Sequence, residues 1–289
     1  MKVRVKYKGI LFIVLSALCF AFMNMFVRMA GDLPAVQKSF FRNLIAFAIA
    51  LMIMIRKKEG LQVEKGNWKY MLLRAAFGTI GILCNFYAVD HLVLSDASML
   101  NKMSPFFVIL FSFLILKEKL TPIQVTAVCG AFIGSLFIIK PTFLNMNLLP
   151  SIVGLCGGLS AGIAYTMVRI LGQRGQKGTS IVLFFSGFSC LVTLPYLLLN
   201  YHTMTMFQAI VLLGAGLAAA GGQFAITAAY FHAPAREISV YDYSQIIFSA
   251  LIGFILFHQI PDRYSVIGYV IIIAMALWMF FYNQKHERI

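Results

Sequence analysis

The sequence predicts an all-α membrane protein of ten transmembrane helices, arranged as two inverted five-helix repeats. Three observations predict it. Hydrophobic residues make up 61% of the chain and charged residues 12%, with mean hydropathy +0.86; soluble domains run near ~45–50% and ~25%. Apolar runs recur along the whole length, and a helix rising ~1.5 Å per residue needs ~20 such residues to cross a bilayer. The second half also echoes the first when the chain is slid on itself by 141 residues, which superposes Arg28 on Arg169, Gly81 on Gly222, His91 on His232 and Ser98 on Ser239 without a gap.

The predicted spans are residues 9–30, 35–55, 69–89, 97–116, 122–139, 150–171, 180–199, 206–231, 238–257 and 264–282. Only helices and closed barrels satisfy their backbone groups inside lipid, so each run reads as a helix. The first follows Lys2, Arg4, Lys6 and Lys8, as a signal peptide does, but it runs too long and lacks a small residue before Cys19, so it reads as a spanning helix. Thr121-Pro122-Ile123-Gln124 predicts a capped start to the fifth span, because Thr accepts from the backbone, Pro suits the first turn and Gln reaches back. Asp262 and Ser265 predict a cap before the tenth.

Charge sets the expected orientation. With the N-terminus inside, sixteen Lys and Arg fall in cytoplasmic segments and three, Lys38, Lys140 and Arg263, outside. The positive-inside rule then places both termini in the cytoplasm. The same asymmetry accounts for most of the +14 net charge without a nucleic-acid partner. Trp68, Tyr70, Trp278 and Tyr282 mark the cytoplasmic aromatic belt. The five cysteines all lie in apolar runs and read as free small side chains, with no spacing that suits a metal or a redox pair.

The two repeats divide the chain into 1–140 and 150–289. Five spans is an odd number, so the second repeat enters the membrane from the opposite side, the arrangement that lets a central site face either side in turn. Ser104-Pro105-Phe106-Phe107, the turn Leu116-Lys117-Glu118-Lys119-Leu120-Thr121, then Gln124, Gly130 and Gly134, with Phe41-Arg42-Asn43 in the second span, resemble the EamA-like branch of the drug/metabolite transporter superfamily. In the second repeat Ile246 replaces Pro105, Gln259 replaces Glu118, and Ile271 and Met275 replace the two glycines. The resemblance implies a cavity walled by spans one, three, four, six, eight and nine, with Arg42 outside that wall. It also implies cargo among amino acids, nucleotide-like compounds, sugars and other metabolites.

Polar groups inside hydrocarbon are costly, so they are candidates for function. The expected substrate-binding set is Asn24, Asn85, Asn101, Lys102, Tyr165, Gln223, Tyr241 and Gln245, whose amides and phenols both donate and accept. For each, interhelical hydrogen bonding is the competing role. Lys102 either attracts a substrate acid group, or snorkels or pairs with Asp90 or Asp96. Asp242 is the carboxylate set well inside a span, and so the proton-coupling candidate; its alternative is a static pair with Arg74. Arg28 and Arg169 stand near helix C-termini, where they offset the dipole, and Arg42 is expected to pair with Asp32. Gly154, Gly158 and Gly162 recur every fourth residue, a stripe that serves either static packing or rocking.

These features predict a secondary transporter of a small polar metabolite, an amino acid or a related zwitterion or anion, in the cytoplasmic membrane. No catalytic residue, cofactor or metal is expected: there is no phosphate-loop sequence, no His pair at i, i+4 and no nucleophile with a base. The expected partners are the solute, the bilayer and a coupling proton or ion, with the chain a monomer or homodimer. The alternatives are a membrane-embedded binding or assembly subunit and a lipid-modifying enzyme.

Overall fold

The computed structural model describes residues 2–58, 60, 63–116, 121–140, 148–232 and 241–286. All regular structure among them is helical. The helices are α1 (Lys2–Met29), α2 (Ala35–Arg56), α3 (Trp68–His91), α4 (Leu94–Asn101), α5 (Ser104–Leu116), α6 (Pro122–Ile139), α7 (Leu148–Gln173), α8 (Gly178–Leu199), α9 (Met206–His232), α10 (Ser244–Phe257) and α11 (Arg263–His286). Eight of them are long and apolar enough to cross a membrane, while α4, α5 and α10 are shorter. Residues 117–120, with the Glu118 turn, and 233–240, with Arg236 and Ser239, lie outside the described residues.

Local chemistry sets the boundaries. Gly31 ends α1 at φ +65°, a left-handed conformation only glycine adopts without strain. The capping box at Thr121 forms in full: its hydroxyl accepts from the Gln124 N–H at 3.3 Å, and Gln124 Oε1 accepts from the Thr121 N–H at 2.9 Å. Thr205 and Gln208 form a second such box, at 3.2 and 2.9 Å, ahead of α9. Asp262 Oδ1 accepts from the Ser265 N–H at 2.9 Å at the start of α11.

The fourth span is broken, contrary to the continuous helix expected over 97–116. A turn at Lys102 and Met103 separates α4 from α5. Pro105 explains it, because it has no N–H to give the carbonyl of Asn101. The ninth span is broken as well: two helical residues, Tyr241 and Asp242, are followed by a turn at Tyr243 and then α10. Lys102 and Tyr243 hold the same position in the 141-residue register.

The helices pack in pairs, α1 against α9, α3 against α7, α2 against α8, and α6 against α11. The glycines of α7 bring that helix onto the break between α4 and α5. A Cβ at Gly158 would stand 2.4 Å from the Leu100 carbonyl oxygen, and one at Gly162 would stand 2.4 Å from Phe107 Cβ. α3 and α7 touch backbone to backbone at Gly81 and Gly157. Large apolar side chains cover the outer surface, such as Leu199 at 83% exposed and Met206 at 78%. Such a surface suits lipid and not water.

Candidate functional site

A cavity lies at the broken fourth span. α1 contributes Phe20, Met23 and Asn24, α3 contributes Arg74, Ile82 and Asn85, and the break contributes Asn101 and Lys102. From the second half come Ala161, Ala164 and Tyr165 of α7, Gln223 of α9 and Gln245 of α10. Arg42 of α2 and Phe185 of α8 complete the wall. Helix two therefore does line the cavity, against the expectation that it stands outside, and α8 joins it. The reason is steric. Gly78 leaves room beside α3 for the Arg74 guanidinium and the Phe185 ring, which a Cβ there would meet at 2.1 and 2.8 Å.

One side of the cavity is an amide and hydroxyl chain. Asn85 Nδ2 donates to Asn24 Oδ1 at 3.0 Å, Asn24 Nδ2 lies 3.5 Å from Ser98 Oγ, and Ser98 and Ser249 share a hydrogen bond of 2.8 Å. Asn85 Oδ1 is buried and has no partner among the described residues.

The other side is cationic. Arg74 Nη2 donates to Gln223 Oε1 at 3.0 Å, and the Arg42 guanidinium donates to its neighbour Asn43. Both guanidiniums rest on the Phe185 ring, at 5.9 Å for Arg42 and 4.1 Å for Arg74. Such contacts with the ring face attract a cation. Arg42 is fully buried and Arg74 3% exposed, and the Nε of each is unpartnered. Among the described residues no carboxylate lies within ion-pair distance of either.

Lys102 and Asp242 meet across the two breaks. Nζ stands 2.6 Å from Oδ2, with both side chains almost wholly buried. The Asp242 oxygens nevertheless have no aligned hydrogen bond, so the contact is an ion pair set by proximity. Four pairings weighed from the sequence, some of them as alternatives to a role in transport, do not form. Lys102 joins neither Asp90, which pairs with Lys38 at 2.6 Å, nor Asp96, which accepts from Tyr269 Oη at 2.5 Å. Arg74 goes to Gln223 and not to Asp242, and Arg42 makes no pair with Asp32.

Of the expected binding residues, Asn24, Asn85, Asn101, Lys102, Tyr165, Gln223 and Gln245 are brought together around one cavity. Tyr241 is not: its ring packs edge-on against Phe280 at 5.7 Å, away from the lining. Arg28 caps α3, donating to the carbonyls of Val89 and Leu92 at 2.7 and 2.5 Å. The lining residues that sequence reasoning missed are Arg42, Arg74 and Phe185. The signal was present for the first two, since each is a cation inside an apolar helix with no acid one turn away. Phe185 carries none, being one of 27 phenylalanines.

The comparisons with known proteins agree with a transport fold. The model of the EamA-like transporter family matches residues 7–140. A pseudopaline exporter of Pseudomonas aeruginosa is 31% identical over 271 residues, covering 93% of this chain and 94% of its own. A riboflavin transporter of Brucella anthropi is 27% identical, over 90% and 94% of the two chains. Human solute carrier family 35 member G1 is 25% identical over 92% of this chain and 77% of its own. A solved crystal structure at 14% identity superposes on 99% of this chain and 98% of its own with a TM-score of 0.65, which speaks for the fold alone.

Proposed function

Because the chain belongs to the EamA-like transporter family of the drug/metabolite transporter superfamily, we propose that it carries a small polar organic metabolite, an amino acid or related zwitterion or anion, across the cytoplasmic membrane by alternating access. It is a multi-pass membrane protein and a transporter of small molecules. One observation carries the finer reading: a polar cavity stands where two spans are interrupted at matching positions. Irregular backbone inside a bilayer persists where it lines a cavity, and broken helices are how many carriers build a substrate site.

Several facts support two inverted repeats, residues 1–140 and 150–289; the placing of both termini in the cytoplasm rests on the Lys and Arg asymmetry alone. Phe20, Met23 and Asn24 share the wall with Ala161, Ala164 and Tyr165, their counterparts in the 141-residue register, and Ile82 shares it with Gln223. The Gly81 to Gly157 contact corresponds to the 3.0 Å bond from Ser16 Oγ to the Gly222 carbonyl. The pairings of α1 with α9 and α7 with α3 exchange under the same register. His91 and His232 each bond the carbonyl four residues back, at 2.8 Å.

The Lys102–Asp242 pair is the proposed coupling element. A proton taken by Asp242 frees Lys102, and the two broken spans lose the ion pair between them while keeping the Ser98–Ser249 hydrogen bond. Counterflow in proteoliposomes tests the transport reading. Labelled amino acids and organic anions accumulate inside vesicles preloaded with the unlabelled solute; no accumulation of any tested solute by folded, inserted protein sinks it. For coupling, uptake against pH flattens in Asp242→Asn, and an unchanged profile removes the proposal.

A further inference from the structure

We infer that Arg42, Arg74 and Phe185 form an anion subsite, and that the solute carried is an organic dianion with two acid groups. The inference deepens the transport reading and rests on the cavity being the solute site. Charge is the starting point. Arg42, Arg74 and Lys102 line the cavity, while the one carboxylate found paired with any of them is Asp242, already held by Lys102 at 2.6 Å. Two positive charges are left without an acid among the described residues.

Guanidinium does not shed its proton in proteins, so these charges cannot be relieved by neutralisation. Burying an ion without a partner is costly, and native interiors avoid it unless something binds there. Arg42 is 0% exposed and Arg74 3%, and each keeps an Nε without a hydrogen-bond partner. The fork of the guanidinium is matched to carboxylate and phosphate oxygens.

The placement argues for two acid groups on one molecule. Both guanidiniums lean on the same Phe185 ring, at 5.9 and 4.1 Å, and so lie within reach of one small solute. Across the cavity the free Oδ1 of Asn85 offers an acceptor for a hydroxyl or amine. Gly78 holds the arrangement open, because a Cβ would stand 2.1 Å from Arg74 Nη1 and 2.8 Å from the ring. A neutral zwitterion would leave one guanidinium unpaired, whereas a dianion satisfies both.

The test is calorimetric binding to the full-length protein in nanodiscs, with succinate and glutarate as dicarboxylates, glycerol phosphate as a phosphate monoester, and alanine as the neutral zwitterion. At least one dianion binds tenfold or more tighter than alanine, and the tightest tells carboxylate from phosphate. Arg42→Gln and Arg74→Gln each weaken that binding tenfold or more, Arg→Lys less, and Gly78→Ala weakens it by displacing a charge that is still present. The inference is overturned if alanine binds as tightly as every dianion, if no dianion binds, or if both Gln variants keep dianion affinity. The ranking on the unmodified protein decides the matter even where a variant fails to fold. The two readings fail separately. Alanine counterflow indifferent to both arginines leaves transport standing and sinks the subsite; dianion binding without any flux does the reverse.

Discussion

At the residue scale, the buried Lys102–Asp242 pair bears on stability, and in the proposed account buried charge also selects the solute. Asp242→Asn leaves Lys102 charged and unpaired in an apolar interior, a change that costs about 3–5 kcal/mol where a buried pair is broken from one side. Replacing both partners with apolar residues of similar size, as in Lys102→Met with Asp242→Leu, removes the uncompensated charge. We therefore expect the double variant to melt well above Asp242→Asn in detergent and still fail to transport. A double variant no more stable than the single one would deny the pair its role. Legibility in the sequence stopped at partnership. Asn24, Asn85, Asn101 and Gln223 stood out because amides in hydrocarbon demand partners. That Lys102 faces Asp242 depends on two helix breaks 140 residues apart in the chain, which no local spacing reports. Tyr241 resembled a lining residue for the same reason in reverse, since a turn at Tyr243 alters the helical phase of the neighbouring residues.

At the element scale, the spans themselves were readable, because apolar length, capping residues and glycine punctuation are local properties. The Thr121 box and the Asp262 cap formed as their side chains require. The break between α4 and α5 was signalled by Pro105, but its match ahead of α10 has Ile246 at that place and no comparable mark. Glycine roles separate by what surrounds them. Gly158→Ala drives a Cβ toward the Leu100 carbonyl at 2.4 Å, a backbone atom that cannot swing aside, whereas Gly154→Ala meets side-chain atoms at 3.2 Å. Overpacking of this kind costs ~1–3 kcal/mol, so Gly158→Ala should lower the melting temperature more than Gly154→Ala; equal melts would contradict the close-approach account. The link between the end of α6 and the start of α11 is expected to weaken in acid. Slight burial raises Asp262, but hydrogen bonds from Lys140 and from the Ser265 backbone outweigh it and hold the carboxyl below the usual carboxylate range. A depressed folded value means the pair stabilises above ~pH 4 and is lost as pH falls through that folded value. Melting curves of the parent chain and of Asp262→Asn should converge on acidification, and a constant gap would contradict the assignment. The effect is small and shrinks with salt, since the carboxylate is half exposed.

At the scale of the whole molecule, the proposed mechanism is an exchange between two related halves around one cavity. Counterparts in the 141-residue register share the wall, and the closest helix crossings pair across the halves. The proposed exchange draws on that register, since contacts such as Gly81 with Gly157 and Ser16 with Gly222 have counterparts across the halves. In a background with the five cysteines replaced, Asn101→Cys places one thiol on the cavity wall at the break. Membrane-impermeant maleimide applied to oriented vesicles, from either side and with or without solute, reads which side that thiol faces. Alternating access predicts labelling from both sides, with solute shifting the balance, and loss of counterflow once the thiol is blocked. Labelling from a single side under every condition, with counterflow intact afterwards, would contradict the account.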